Sequence, residues 1–150
     1  MSRSRQRLEA MLHVTELRAI GAKLAESRAV AAQRDLDRAG EKLDAHVQQL
    51  ELAVAGWQAS LSHGSFDPVA ASFWGQAVNA GEASALQAKR DKTDCEHADA
   101  TARSAFGRAT ADDRCARDLL KRARSHRAIE ILRRQDDERA DHATRSFVRS

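Results

Sequence analysis

A seven-residue repeat of small and apolar residues runs through the first part of the chain. Its first series is Leu8, Thr15, Ala22, Ala29, Leu36, Leu43, Leu50 and Trp57. Its second series, three positions further on, is Met11, Arg18, Ala25, Ala32, Ala39, His46 and Ala53. Apolar residues at the a and d positions of a heptad form the buried seam between coiled-coil helices. The pattern therefore predicts one long helix, arm one, over about residues 4–61.

The second half of the chain carries a similar repeat that is built from smaller residues. Its predicted seam consists of Ala88, Cys95, Ala102, Ala109, Ala116 and Ala123, flanked by Ala98, Ala105 and Leu119. The phase then shifts, and the next apolar positions are Ile129, Leu132, Ala140, Ala143 and Phe147. Such a shift changes the local winding of a coiled coil without ending it. These positions predict a second helix, arm two, over about residues 82–148.

The stretch SHGSFDPVAASFWGQ between the two repeats differs from its surroundings, and it contains the chain's only proline. Asp67 followed by Pro68 is typical of a helix N-cap and of the first helical position after it. Gly75 and Gly81 favour a short or kinked helix before arm two. We call residues 62–81 the tip segment, because one break between two long repeats predicts an antiparallel hairpin.

The predicted fold is all-α: a long antiparallel two-helix coiled-coil hairpin with a short helical or loop tip, forming a single domain over residues 1–150. Composition agrees, because charged residues make up 31%, aromatic residues 4%, and good helix formers dominate. A hydrophobic fraction of 42% with clear periodicity argues against disorder.

Four of the six aromatic residues lie in or beside the tip segment, namely Trp57, Phe66, Phe73 and Trp74. They support two interpretations. The four rings plug the end of the coiled coil, or they form an exposed docking patch, since aromatic anchors are enriched at interface hot spots.

Charge is distributed unevenly along the chain. No Lys or Arg occurs between Leu43 and Ala88, whereas residues 114–149 hold eleven Lys or Arg against six acidic residues. A hairpin would bring this segment together with Arg3, Arg5 and Arg7. The basic end favours an acidic partner, either a protein lumen, a nucleic-acid backbone or a membrane surface. The interspersed acids, and a basic segment whose one aromatic residue is Phe147, argue against nucleic acid.

No catalytic motif is recognisable. The sequence has no phosphate-binding loop, no dinucleotide-binding glycine motif and no nucleophile elbow. Cys95 and His97 point to different sides of a helix, so they predict no metal site. We therefore expect a protein that is not an enzyme, with no cofactor and no small-molecule substrate.

The cysteines and the hydropathy suggest a location. Cys95 and Cys115 would lie about 30 Å apart on one helix, which exceeds disulfide reach. Reduced, buried cysteines suit the cytoplasm. No apolar run approaches the roughly 20 residues of a membrane span. The stretch MSRSRQRLEAMLH has neither an apolar core nor a small-residue cleavage site, so we expect no secretory signal and a cytoplasmic protein.

Three stretches resemble the FliJ/YscO family. The segment LEAMLHVTELRAIGAKLAESRAVAAQRDLDRAGEKL is similar to its first helix, and RARSHRAIEILRRQDDERADHATRSF resembles its C-terminal arm. The break at Gly64–Pro68, followed by Phe73 and Trp74, falls where the hairpin tip of that family lies. The likeness covers nearly the whole chain.

This resemblance implies the central stalk of a type III secretion ATPase complex, flagellar or injectisome, similar in fold to the gamma subunit of rotary ATP synthases. The paired termini of such a stalk enter the pore of the hexameric ATPase, and the tip approaches the cytoplasmic domain of the export gate. The residues implied for the ATPase are Arg3, Arg5, Arg7, Arg133, Arg134 and Arg139. Those implied for the gate are Trp57, Phe66, Phe73 and Trp74.

Secretion chaperones are further candidate partners, and the implied location is cytoplasmic, peripheral to the inner-membrane secretion apparatus. The alanine-rich second arm, and an ending that lacks acidic residues and glutamine, favour an injectisome over a flagellar system. Two alternatives stay open. One is a helical chaperone or granule-coating protein, which would need a wider amphipathic stripe. The other is a basic coiled coil that binds nucleic acid or a membrane surface.

Overall fold

The computed structural model describes residues 3–62 and 64–148, which form two helices. Helix α1 spans Arg3–Ser62 and has 60 residues, and helix α2 spans Pro68–Val148 and has 81 residues. The two helices pack against each other, and no strand occurs in the described residues. The predicted all-α helical hairpin is confirmed.

The start of α2 follows the capping prediction. The backbone N–H of Val69 donates to the Asp67 carboxylate over 2.9 Å, and the N–H of Ala71 donates to the Asp67 carbonyl over 3.0 Å. Asp67 is therefore the N-cap, and Pro68 occupies the first helical position, where its missing N–H costs nothing. Residues 64–67 are irregular, and His63 of the predicted turn lies outside the described residues.

Helix α2 is continuous through the tip segment, so the short or kinked helix expected before residue 82 is not a separate element. Neither Gly75 nor Gly81 interrupts it, and at Gly81 the lack of a side chain serves packing. A Cβ atom at Gly81 would lie 3.2 Å from Leu50 Cδ1 and 3.5 Å from Leu50 Cα. Close approach of the two helices offsets the weak helix propensity of glycine.

The chain forms two compact units. Unit 1 combines Met1–Ala25 with Phe106–Ser150, and unit 2 comprises Glu26–Ala105. In unit 1 the Thr15 hydroxyl lies 3.5 Å from the Ala116 carbonyl oxygen, and Arg18 lies 3.3 Å from Asp112. Later residues of α1 therefore meet earlier residues of α2, and the two segments run antiparallel.

Unit 2 shows the same antiparallel arrangement. In it Arg103 donates a hydrogen bond to the Gln33 side chain, and the Trp74 ring covers Gly56. The two helical segments of each unit therefore run antiparallel.

The predicted seam of α1 is confirmed by burial. Every predicted a and d position is buried or half-buried, apart from the exposed residues Arg18 and Trp57. Ala39 and Ala53 are the most deeply buried. The polar residues Thr15 and His46 are half-buried within this seam.

The predicted seam of α2 is half right. The series from Ala88 to Ala123 is buried or half-buried, but the flanking residues Ala98, Ala105 and Leu119 are exposed. The second line of the seam lies one position later, and its members are Asp99, Phe106, Asp113 and Leu120. The periodicity of apolar residues favours Ala98, Ala105 and Leu119, whereas the structure places two aspartates in the seam.

Each seam aspartate is held by an arginine one turn later on α2. Asp99 is 6% exposed and lies 3.0 Å from Arg103, and Asp113 is 7% exposed and lies 2.8 Å from Arg117. The Oδ1 atom of each carboxylate has no hydrogen-bond partner among the described residues. Burial of an unpaired carboxylate lowers the free energy of unfolding. The paired arginines reduce this penalty for the two seam aspartates.

The seam ends earlier than predicted. Ile129 and all of residues 131–148 are exposed, so the predicted positions Ile129, Leu132, Ala140, Ala143 and Phe147 do not continue it. The expected burial of the cysteines is also wrong. Both thiols are free, with Cys95 half-buried and Cys115 exposed.

The seam carboxylates lead to a stability prediction. Asp113→Ala removes a desolvated charge and improves helix propensity, so it should raise the free energy of unfolding by about 1 kcal/mol. Arg117→Ala leaves the same carboxylate buried without its cation and should lower that free energy by about 1 kcal/mol. Urea denaturation followed by circular dichroism measures both, with the exposed Asp118→Ala as control. A loss of stability in Asp113→Ala as large as that in Arg117→Ala would contradict this account.

Candidate functional site

The two tryptophans near the tip segment pack against glycines of the opposite helix. The Trp74 ring lies 2.7 Å from the position that a Cβ atom would take at Gly56, and Trp57 Nε1 lies 3.8 Å from that position at Gly75. Trp74 is half-buried, and Trp57 is exposed. The absence of a side chain at Gly56 leaves room for the Trp74 ring, whereas a Cβ at Gly75 would make only an ordinary contact with Trp57.

The two phenylalanines are arranged differently. Phe66 is 62% exposed and Phe73 is 64% exposed. Phe73 meets the Trp74 ring edge to face, with centroids 5.4 Å apart. Val69, one turn before Phe73 on α2, is also exposed. We call Phe66, Val69 and Phe73 the exposed tip residues, which are available to a partner while the tryptophans hold the helices together.

The aromatic pattern of the sequence does not indicate Val69 as an exposed apolar residue. It also does not show that Trp74 is half-buried while Phe73 is exposed. The spacing of four residues between Val69 and Phe73 was the available signal for a shared helix face. The pairing of each tryptophan with a glycine depends on the alignment of the helices, which adjacent residues in the sequence do not reveal.

The six arginines expected to contact an ATPase are all exposed. Arg5 pairs with Glu9 over 3.1 Å, and Arg139 pairs with Asp136 over 3.8 Å. Arg133, Arg134 and Arg139 lie in the fully exposed segment 131–148. None of these three lines the groove that contains Arg3 and Arg7.

A different set of basic residues lies near Arg3 and Arg7. A groove of about 490 Å³ between the helices of unit 1 is lined by these two residues together with Arg122, His126 and Arg127. Its apolar lining consists of Leu8, Met11, Leu119 and Ala123, and Glu130 is its acidic member.

A second groove of about 350 Å³ shares Arg7, Met11 and Leu119 with the first. It adds Ala10, Val14, Thr15, Arg18, Asp112, Cys115 and Ala116. The two grooves therefore form one depression along unit 1, which we call the unit 1 groove. The α2 side of this groove includes Cys115, Leu119 and Arg122, and each of them precedes a seam residue by one position. This one-residue offset from the seam was the sequence signal for a shared face beside it.

The comparable depression in unit 2 has a different character. It has a volume of about 480 Å³ and is lined mainly by polar and charged side chains of both signs. These include Asp35, Arg38, Lys42, Gln87 and Asp91, with Ala39, Ala88 and Cys95 as its small apolar members.

The two units also differ in charge. Residues 3–25 and 106–148 carry sixteen Lys or Arg against ten Asp or Glu. Residues 26–105 carry eight against twelve. Among these residues unit 1 is therefore positive and unit 2 negative.

The described residues contain no group of three or more metal-binding side chains. No helix among them is long and apolar enough to cross a membrane. The surfaces that stand out are the exposed tip residues and the unit 1 groove.

Comparisons with protein-family models, with curated proteins and with solved structures find no match to this chain.

The glycine–tryptophan contacts generate a matched pair of predictions. Gly56→Ala places a Cβ against the fused ring atoms of Trp74 and should lower the free energy of unfolding by about 1–2 kcal/mol. Gly75→Ala makes an ordinary contact and should raise it by about 0.5–1 kcal/mol through helix propensity. Thermal and urea unfolding test both variants. If both raise stability equally, Trp74 does not pack on Gly56 as described.

Proposed function

We propose that this protein is a central stalk protein of a type III secretion ATPase complex. Its helical hairpin would insert basic residues near both termini into the pore of the hexameric ATPase, and its tip would couple that ATPase to the export gate. The observation that carries the proposal is the positive charge of unit 1, with sixteen basic against ten acidic side chains. An acidic pore would attract such a surface over a Debye length of about 10 Å.

The packing of unit 1 also supports a role inside a larger assembly. Its seam combines small residues such as Ala109 and Ala116 with the charged Asp113, so it buries little apolar area. A hairpin of this kind gains stability when a surrounding partner binds only its folded form.

The exposed tip residues support the second contact. Phe66, Val69 and Phe73 present apolar surface in a part of the chain that lacks Lys and Arg. Exposed aromatic rings surrounded by polar residues are typical anchors of protein interfaces. The cytoplasmic domain of the export gate is the partner that the proposal assigns to them, with a location at the cytoplasmic side of the secretion apparatus.

Charge reversal tests the ATPase contact. Replacing Arg3, Arg5, Arg7, Arg133, Arg134 and Arg139 by Glu should abolish stimulation of the secretion ATPase at physiological salt, because the pore would then face like charges. Circular dichroism should show unchanged helicity. The matched control reverses three exposed arginines of unit 2, Arg28, Arg34 and Arg38, and should retain stimulation.

Retained stimulation in the sixfold variant would refute the ATPase contact. If stimulation is retained and salt-sensitive binding to nucleic acid or anionic lipid is lost instead, the chain is a basic coiled-coil binder.

Separate alanine variants test the tip contact. Phe73→Ala should keep its melting temperature, because Phe73 is exposed, yet lose binding to the cytoplasmic domain of the export gate. Trp74→Ala should lower the free energy of unfolding by roughly 2 kcal/mol, because a half-buried ring is lost from Gly56. Pull-down and thermal unfolding measure the two effects. Unchanged gate binding in Phe73→Ala would remove this residue from the proposed contact.

One observation favours the helical chaperone or granule-coating alternative. Leu17, Ile20 and Leu24 are exposed on α1 outside the seam, at spacings of three and four residues. They widen the apolar stripe beyond the narrow a and d positions, as a cargo-coating helix would require. Loss of binding to an apolar cargo surface on mutation of Leu17 and Ile20 to Glu, without effect on ATPase stimulation, would support this function instead.

A further inference from the structure

We propose that the unit 1 groove is the docking site for a third helix, an amphipathic helix of a partner protein whose apolar stripe is flanked by Asp and Glu. The groove shares Arg3 and Arg7 with the residues implied for the ATPase. It differs from that set because it is a depression between α1 and α2 of unit 1, and its apolar members belong to neither set of implied residues. The inference does not depend on the identity of the ATPase.

The dimensions of the groove match a helix. Its α1 side runs from Arg3 to Arg18 and its α2 side from Asp112 to Glu130. Fifteen residues of rise along α1 correspond to about 22 Å, or about four helical turns. A helix of that length presents four or five apolar side chains on one face, and the neighbouring helices of unit 1 supply the two walls of a three-helix arrangement.

The lining of the groove is apolar and accessible. Leu119 is 47% exposed, and Val14 is exposed on the opposite wall. Leu8 and Met11 are half-buried below them. Burial of such side chains by the apolar face of an added helix is the standard helix-in-groove mode of recognition.

The rim of the groove specifies the charge of its occupant. Arg18 forms an ion pair with Asp112 at 3.3 Å, and His126 lies 3.4 Å from Glu130. Arg7, Arg122 and Arg127 make no ion pair with any described residue. These three guanidinium groups lie beside the apolar lining of the groove. A partner helix with carboxylates on both sides of its apolar face would form ion pairs with them.

The same charges argue against a second copy of this chain as the occupant. Two copies of unit 1 would bring two positive surfaces together, which opposes association. The depression of unit 2 lacks the required lining, because polar and charged residues such as Asp35, Lys42 and Asp91 occupy it. Unit 1 therefore holds the groove suited to an acidic amphipathic helix.

Cys115 provides a direct test, because this exposed thiol lines the groove. In the full-length Cys95→Ser variant it is the single cysteine. The probe is a helical peptide of about 18 residues with leucines at the heptad a and d positions and glutamates beside them. Saturating peptide should slow maleimide labelling of Cys115 by at least about fivefold, and high salt should reduce the protection. A peptide with lysines in place of the glutamates should give no protection.

Variants of the lining locate the effect. Leu119→Glu and, separately, Val14→Glu should each abolish protection while leaving helicity unchanged, because both residues are exposed. The matched control is Leu52→Glu, which changes a leucine that is 71% exposed in unit 2 and should retain protection. ATPase stimulation by the same variants is measured in parallel, so that failure of helix docking and failure of the stalk function are distinguished.

Four results would overturn the proposal. They are an absence of protection by the glutamate peptide, equal protection by the lysine peptide, and retained protection in both lining variants. The fourth is protection of Cys115 without peptide, either by anionic phospholipid vesicles or by concentration-dependent dimerisation of the chain. That last result would make the groove a lipid site or a contact between copies.

Discussion

Close packing of α1 and α2 along a seam of alanines is the constraint on which the other features of the structure depend. Ala39, Ala53, Ala88 and Ala116 are buried between the helices. Small residues let the two backbones approach, but each buries little apolar area, at about 25 cal/mol per Å². Most of the large apolar side chains consequently remain outside the seam. The exposed tip residues belong to these excluded side chains, and so do Val14 and Leu119 of the unit 1 groove.

The same shortage of apolar area makes the polar seam residues important. Asp99 and Asp113 lie where a conventional coiled coil would place leucine, and each depends on an arginine of its own helix. Such pairs contribute little net stability, because the cost of removing the carboxylate from water offsets the attraction. The hairpin therefore combines a weakly apolar seam with desolvated charges. A protein built in this way is well suited to being completed by a partner that covers it.

The sequence predicted the features that depend on local pattern and missed those that depend on alignment between helices. The heptads of α1, the cap at Asp67 and the series from Ala88 to Ala123 follow from spacing and capping chemistry. The second line of the α2 seam did not, because periodicity favoured the alanines and Leu119 over the aspartates. The contact of Trp74 with Gly56 was equally hidden, since it requires the register of two segments that are distant in sequence.

Leu119 was predicted to flank the α2 seam but lies on the wall of the unit 1 groove, and the reason shows how the groove forms. Leu119 and Leu120 are adjacent, and a helix turns by about 100° per residue, so only one of the two can face α1. The structure turns Leu120 inward with Asp113 and leaves Leu119 on the wall of the groove beside Cys115. Rotation of α2 by one residue would bury Leu119 and release Asp113, but it would also carry Arg122 away from the rim. The burial of the aspartate and the availability of an apolar groove lined by arginines are thus two consequences of one helix orientation.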